Sequence, residues 1–288
     1  MYKIFTDTPA NLSPDYVEKH GIEVIPLHYT IGNEEYPRPE DRAAAFDGKP
    51  FYEAMRRGED VHTSMINIHA FTEAFTKSLE AGYDIIFLSI SSGVSGTYHA
   101  ATVAGEELKS RYPERMIAVI DTKAASLAEG LLVQYAVSLK EKGLSLEKVV
   151  SLTEKKAELI CQYFTVEDLI YLKKGGRLSG AAALVGNILH IKPILMGDDH
   201  GKIVLNHKVR GRKKALNALA NKYYELVSDL HAPVGIVHAD SLDDANLLAQ
   251  KIRDMGQQGE IQIDYFEPVT GSHAGPGAIA LFFYGIHR

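Results

Sequence analysis

The run Ile90-Ser91-Ser92-Gly93-Val94-Ser95-Gly96-Thr97-Tyr98 sets small hydroxyls and glycines where an apolar segment, Asp84 to Ile90, gives way to a helical pattern. That pattern continues through Ala100, Ala101, Val103, Ala104 and Leu108 at a spacing of about 3.6 residues. Ser95 falls near the helix N-cap, where its hydroxyl, the first-turn amides and the positive end of the helix dipole can all face one carboxylate or phosphate. On this segment alone, the simpler reading is the stronger: Ser95 caps its own helix and Gly93 and Gly96 make the turn. Thr63-Ser64, directly ahead of another helical pattern, carries the same two readings, ligand or cap. Thr6-Asp7-Thr8 and Asp121-Thr122 also follow apolar segments, so several loops supply hydroxyls and amides. Such a set suits an uncharged, hydrogen-bonding grip on an anion's oxygens.

A second candidate is Gly271-Ser272-His273-Ala274-Gly275-Pro276-Gly277-Ala278, read as a loop in which His273 is the one titratable side chain. An ordinary hydrogen-bonding histidine is the commoner case, and the crowded small residues are what favour a ligand role. No other His or Cys stands at metal-ligand spacing, so zinc is rejected and no metal is expected. The basic runs Lys173-Lys174-Gly175-Gly176-Arg177-Leu178-Ser179 and Lys208-Val209-Arg210-Gly211-Arg212-Lys213-Lys214 read either as solvated helix-end cations or as a dock for a phosphate-bearing ligand or an acidic partner. Two tempting motifs fail. Thr97 stands where a G-x-S-x-G elbow needs its second glycine, and Gly175-Gly176 lacks phosphate-loop spacing.

The elements that must position these residues alternate in the first half. Short apolar strands (2–6, 22–27, 84–90, 116–120) are interleaved with amphipathic helices (12–20, 51–57, 68–81, 95–111, 124–142, 145–158), the pattern of a parallel sheet covered on both faces. Gly32 to Asp47 reads as a long connection. After Cys161 come a short helix to Lys174, an apolar helix over 181–189, a β-hairpin around Asp198-Asp199-His200-Gly201, a long amphipathic helix over 215–230, a strand at 234–238, a helix over 242–255, and strands at 261–266 and 278–284. The expected fold is therefore α/β: a three-layer α/β/α domain over residues 1–159 with a mostly parallel sheet, and a two-layer α/β domain over 160–288 with a mixed or antiparallel sheet. A chain of 288 residues fits two domains of ~140 residues. A hydrophobic content of 45% and a charged content of 24% are ordinary globular values, and no stretch reaches a membrane-spanning length, so a cytoplasmic protein is expected. A net charge of −6 argues against a general nucleic-acid binder. The single cysteine, Cys161, lies in a strand-like apolar run and is not expected to be a nucleophile.

Thr6-Asp7-Thr8, Thr63-Ser64, Ile90 to Tyr98, Tyr171 to Ser179, Lys192-Pro193-Ile194-Leu195 and His273 to Ala278 occur in an order and spacing that resemble the DegV family, the FakB-type bacterial fatty-acid-binding proteins. The resemblance covers the whole chain. It implies two α/β domains with one long-chain fatty acid held between them, the acyl chain in an apolar tunnel and no cofactor. It also implies that the protein is a carrier and not an enzyme, presenting the carboxyl to a separate ATP-dependent kinase that makes an acyl phosphate for phospholipid synthesis. Carried over by motif, Thr63, Ser95, Gly96 and His273 would hold the carboxylate, and Arg177 and Arg210 would face the partner and the phosphate. The pattern departs at Met65-Ile66-Asn67, where the family usually has Gln-Pro-Ser, at His99 for a common Gln, and at Ala280 for a common Gly. Ala181, Ala182, Leu184, Val185, Ile188 and Leu189 are candidates for the tunnel lining or for plain core. The alternative reading is an enzyme of related α/β architecture acting on a small phosphorylated or carboxylated metabolite, with His273 as base or covalent site.

Overall fold

The structure, a computed structural model, describes residues 1–37, 46–178 and 191–288. In chain order its elements begin with β1 (Tyr2–Asp7), α1 (Pro14–His20), β2 (Glu23–Ile25), β3 (His28–Ile31), β4 (Glu34–Tyr36), α2 (Gly48–Arg56), β5 (Val61–Ser64) and α3 (Ile68–Glu80). They continue with β6 (Asp84–Ser89), α4 (Thr97–Arg111), β7 (Ile117–Asp121), α5 (Leu127–Glu141), α6 (Leu146–Ala157), β8 (Ile160–Thr165) and α7 (Ile170–Lys174). The last are β9 (Ile191–Gly197), β10 (Ile203–Arg210), α8 (Arg212–Leu226), β11 (Val234–His238), α9 (Leu242–Asp254), β12 (Ile261–Tyr265), α10 (Pro268–Ala274) and β13 (Ile279–Tyr284). Their contacts divide the chain into two units, Met1–Ala45 with Val61–Ala157, and Phe46–Asp60 with Glu158–Arg288.

In the first unit a four-stranded parallel sheet runs in the order β2-β1-β6-β7. Neighbouring residues of a strand face opposite sides. The Phe5 ring meets Phe75 of α3 at 5.4 Å while the Thr6 hydroxyl reaches Glu129 of α5, so helices cover both faces and the unit has three layers. That double burial explains why Ile85, Ile86, Phe87 and Leu88 form an unbroken apolar run, every one of them fully buried. The expected long connection after residue 32 instead begins with a hairpin. Gly32, at φ +59°, turns β3 back onto β4, and β3 also pairs with β5, making a separate three-stranded antiparallel sheet.

The second unit is built on a six-stranded sheet in the order β10-β9-β8-β13-β11-β12, antiparallel except for β11 and β12. Helices α8 and α9 lay Leu216, Leu219, Tyr223, Leu248 and Ile252 on Tyr163, Ile194, Ile236, Leu281 and Phe283. The expected hairpin is present. Asp198 Oδ1 accepts from the amides of His200 and Lys202, and Gly201 takes φ +68°. Its second strand runs on to Arg210, so the basic residues Lys208 and Arg210 are strand residues paired with Pro193 and Ile191. Helix α2, which the sequence reading puts in the first domain, packs within the second. The Tyr52 hydroxyl donates to the Phe266 carbonyl at 2.8 Å, and Gly48 lies so near Tyr265 that a Cβ there would be 2.2 Å from its ring. The expected apolar helix over 181–189 lies outside the described residues.

Candidate functional site

Loops at the carboxyl edge of the parallel sheet are tied to one another by hydrogen bonds. Asp7 Oδ2 accepts from the Ile90 amide at 3.0 Å, and the Thr122 hydroxyl donates to the Ser89 carbonyl at 2.6 Å. Asp121 accepts from the Ser92 amide, the Ser92 hydroxyl and the Lys123 amide. Thr8 Oγ1 accepts from the Leu27 amide, and the Thr6 hydroxyl lies 3.0 Å from both the Leu88 carbonyl and Glu129 Oε1. These residues converge as the sequence suggests, and the bonds they make brace the loop that carries Ser95.

Within that loop the Ser91 carbonyl accepts from the amides of Val94 and Ser95, and the Ser91 hydroxyl oxygen accepts from Gly93. The turn delivers the chain into α4 with Gly96 as the N-cap and Ser95 one residue earlier. Ser95 Oγ accepts from the Thr97 amide at 3.3 Å and lies 2.9 Å from the buried Thr97 hydroxyl. Either hydroxyl can donate in that pair, and where Thr97 donates the Ser95 proton stays available to another acceptor. The bond to the Thr97 amide does not use the hydroxyl proton, so the two roles read from the sequence are compatible on one oxygen. First-turn amides have no partner within a helix, and the dipole adds positive potential at the same end.

Thr63 is not the cap of α3. It lies in β5 opposite Tyr29, and the cap is Asn67, whose Oδ1 accepts from the Ala70 amide at 2.9 Å. Met65, two residues beyond Thr63, joins the two segments: a Cβ placed on Gly96 would lie 2.6 Å from its sulfur. Met65 thus brings the segment that carries Thr63 and the loop that carries Ser95 and Gly96 together within the first unit.

In the second unit His273 is not on a loop but in the last turn of α10. Burial, and then the repulsion of the Arg177 guanidinium, push its pKa down to about 4, so the imidazole is neutral at pH 7 and can donate without adding charge. Glycines make this packing possible. A Cβ on Gly175 would lie 2.2 Å from His273 Nδ1, and one on Gly275, at φ +79°, would lie 2.2 Å from the Tyr171 ring. Arg177 donates to the Gly175 carbonyl, which fixes the guanidinium beside the same turn. Arg210 stands exposed at the end of β10. Cys161 is buried in β8 with its thiol pKa raised to about 12 by desolvation, which excludes it as a nucleophile. Met65 over Gly96 and Gly175 against His273 escaped the sequence reading as contacts. The only signals were a Met where a Gln was expected and a glycine inside a basic run.

Residues 1–285 match the family described as "Uncharacterised protein, DegV family". A DegV domain-containing protein of Clostridium perfringens is 39% identical over 285 residues, covering 99% of this chain and 97% of that protein. Among solved structures, a DegV family protein from Thermus thermophilus described for its fatty acid binding matches with a TM-score of 0.87 and 27% identity, over 99% of both chains. DegV of Bacillus subtilis, described as a fatty acid binding protein, matches with a TM-score of 0.82 and 30% identity, over 98% of both chains.

Proposed function

The chain belongs to the DegV family, and from that premise we propose that it binds one long-chain fatty acid, its carboxylate held by Thr63, Ser95, Gly96 and His273 and its acyl chain in an apolar tunnel. The observation that carries this reading is the hydrogen-bonding start of α4, where the Ser95 hydroxyl stands one residue before the Gly96 cap and the first-turn amides follow it. A carboxylate that is to react further is better held by such donors than locked in a desolvated ion pair, which costs several kcal/mol to break. His273 fits the same logic, because its imidazole is neutral at working pH. Affinity then comes from the chain. Each buried CH₂ contributes about 0.8 kcal/mol, or ~10 kcal/mol gross for a long acyl group before the costs of binding.

We assign the protein no reaction and no cofactor of its own. Its carboxylate is offered to a separate ATP-dependent kinase, which transfers a phosphoryl group to the carboxylate oxygen and releases ADP, leaving an acyl phosphate for phospholipid synthesis. Arg177 and Arg210 are the residues we assign to docking that partner or meeting the phosphate, and a carrier that serves an ATP-dependent kinase would work in the cytoplasm. Among the described residues no helix is long and apolar enough to cross a membrane.

Solvent extraction of the purified protein followed by mass spectrometry tests the reading. A fatty acid in near-equimolar amount is expected. A protein that yields none, and takes up none when oleate or palmitate is added, would overturn it.

A further inference from the structure

Met65 breaks the pattern of its surroundings. Ser64 before it is polar and exposed, and Met65 keeps 48% of its surface in solvent while its sulfur sits against Gly96. Ile66 is buried and Asn67 caps α3, so the backbone on the far side of Met65 is anchored and its position is set by the fold. Gly96 makes the contact possible, since any side chain there would occupy the space the sulfur now fills. Gly96 lies at an ordinary φ of −79°, which any residue adopts, so the backbone itself does not demand a glycine. What the missing Cβ provides is room for Met65.

We propose that Met65 is a positioning residue for the ligand: an adaptable apolar cover over the start of α4 that closes on the bound carboxylate, excludes water from the Ser95 and Gly96 donors, and slows release. This rests on the carboxylate site proposed above. Methionine suits the task because its thioether is unbranched, polarizable and able to repack as the ligand enters. Shielding also strengthens hydrogen bonds that water would otherwise weaken.

The test is the release rate of a fluorescent long-chain fatty acid from the full-length protein carrying Met65→Ala, Met65→Leu, Gly96→Ala or the Met65→Ala/Gly96→Ala pair, each checked for an unchanged melting temperature. Release from Met65→Ala should be about tenfold faster, a change worth ~1.4 kcal/mol. Met65→Leu should stay near the wild-type rate. A methyl on Gly96 would push the sulfur aside, so Gly96→Ala should speed release to a similar degree, and the double variant should release no faster than either single one. The penalty should also be the same for C14, C16 and C18 acids, since the cover acts on the head and not on the tail. Wild-type release from Met65→Ala, additive effects in the double variant, or a penalty that grows with chain length would each overturn the proposal. A wild-type protein that binds no fatty acid would instead strike at the functional reading itself.

Discussion

At the level of single residues, the proposed site would hold its anion by hydrogen bonds and not by charge, and that reading has measurable consequences. Ser95→Ala combined with Thr63→Ala removes two hydroxyls from partly exposed positions, so the fold should survive while acyl binding falls at least a hundredfold, given roughly 1.5–3 kcal/mol for each bond to a charged group. Titration calorimetry with palmitate on the folded double variant checks this, and undiminished binding would remove both residues from the site. His273 gives a pH signature of the opposite kind to a cationic ligand. Its folded pKa of about 4 lies below the usual 6.5, so between those values the unfolded chain binds a proton that the folded chain refuses. Stability from His273 is therefore complete above pH 6.5 and is lost as the pH falls toward 4. Melting curves should show a shallower loss over that window in His273→Gln than in the wild type, and fatty acid affinity should be flat from pH 6 to 8. An affinity that drops as pH rises through 6.5 would mean that His273 binds as a cation. The neutral imidazole was not readable from sequence, because it depends on burial, with Gly175 packed against the ring, and then on Arg177, both nearly 100 positions away along the chain.

At the level of elements, what the sequence made legible were the repeating patterns, and what it hid were contacts between distant turns. The apolar run 84–90 and the helix after it announced β6 and α4 because both faces of that strand are buried. The glycine-rich segment 271–278 read as a loop, yet its first half, Gly271 to Ala274, completes α10, a helix started by Pro268 and capped by Glu267, whose carboxylate accepts from the amides of Val269 and Thr270. Its glycines misled because they serve close approach and not flexibility: Tyr52 lies against Gly271 and Tyr171 against Gly275. Gly275 couples the elements most tightly. Its backbone, at φ +79° and ψ 162°, is in a region essentially reserved for glycine, and a Cβ would also strike the Tyr171 ring. Gly275→Ala should cost about 1–3 kcal/mol from the backbone alone and lower the melting temperature by several degrees. Calorimetric melting checks it, and a variant as stable as the wild type would show that α7 and α10 are not packed as described.

At the level of the whole molecule, composition and alternation of elements predicted two α/β parts with a parallel and a mixed sheet, and both sheets are present. The one segment that crosses the expected boundary, Phe46–Asp60, does so because Gly48 and Tyr52 pack on Tyr265, Phe266 and Gly271, partners more than 200 residues downstream that no local pattern could announce. A carrier reading also makes a demand on stability as a whole. A ligand that binds the folded chain and not the unfolded one stabilises it by RT ln(1 + [L]/Kd), about 2.7 kcal/mol at a hundredfold excess over Kd. For a structural unit of 150–250 residues that corresponds to a rise of roughly 5–10 °C in melting temperature. Protein stripped of lipid should therefore melt at least 5 °C below the same protein reloaded with a long-chain acid. The Ser95→Ala/Thr63→Ala variant should show no such gap, because it has lost the carboxylate grip while keeping its fold. An equal rise in both proteins would mean that the acid stabilises the chain through its tail alone, and the start of α4 would no longer be the place where the head group is held.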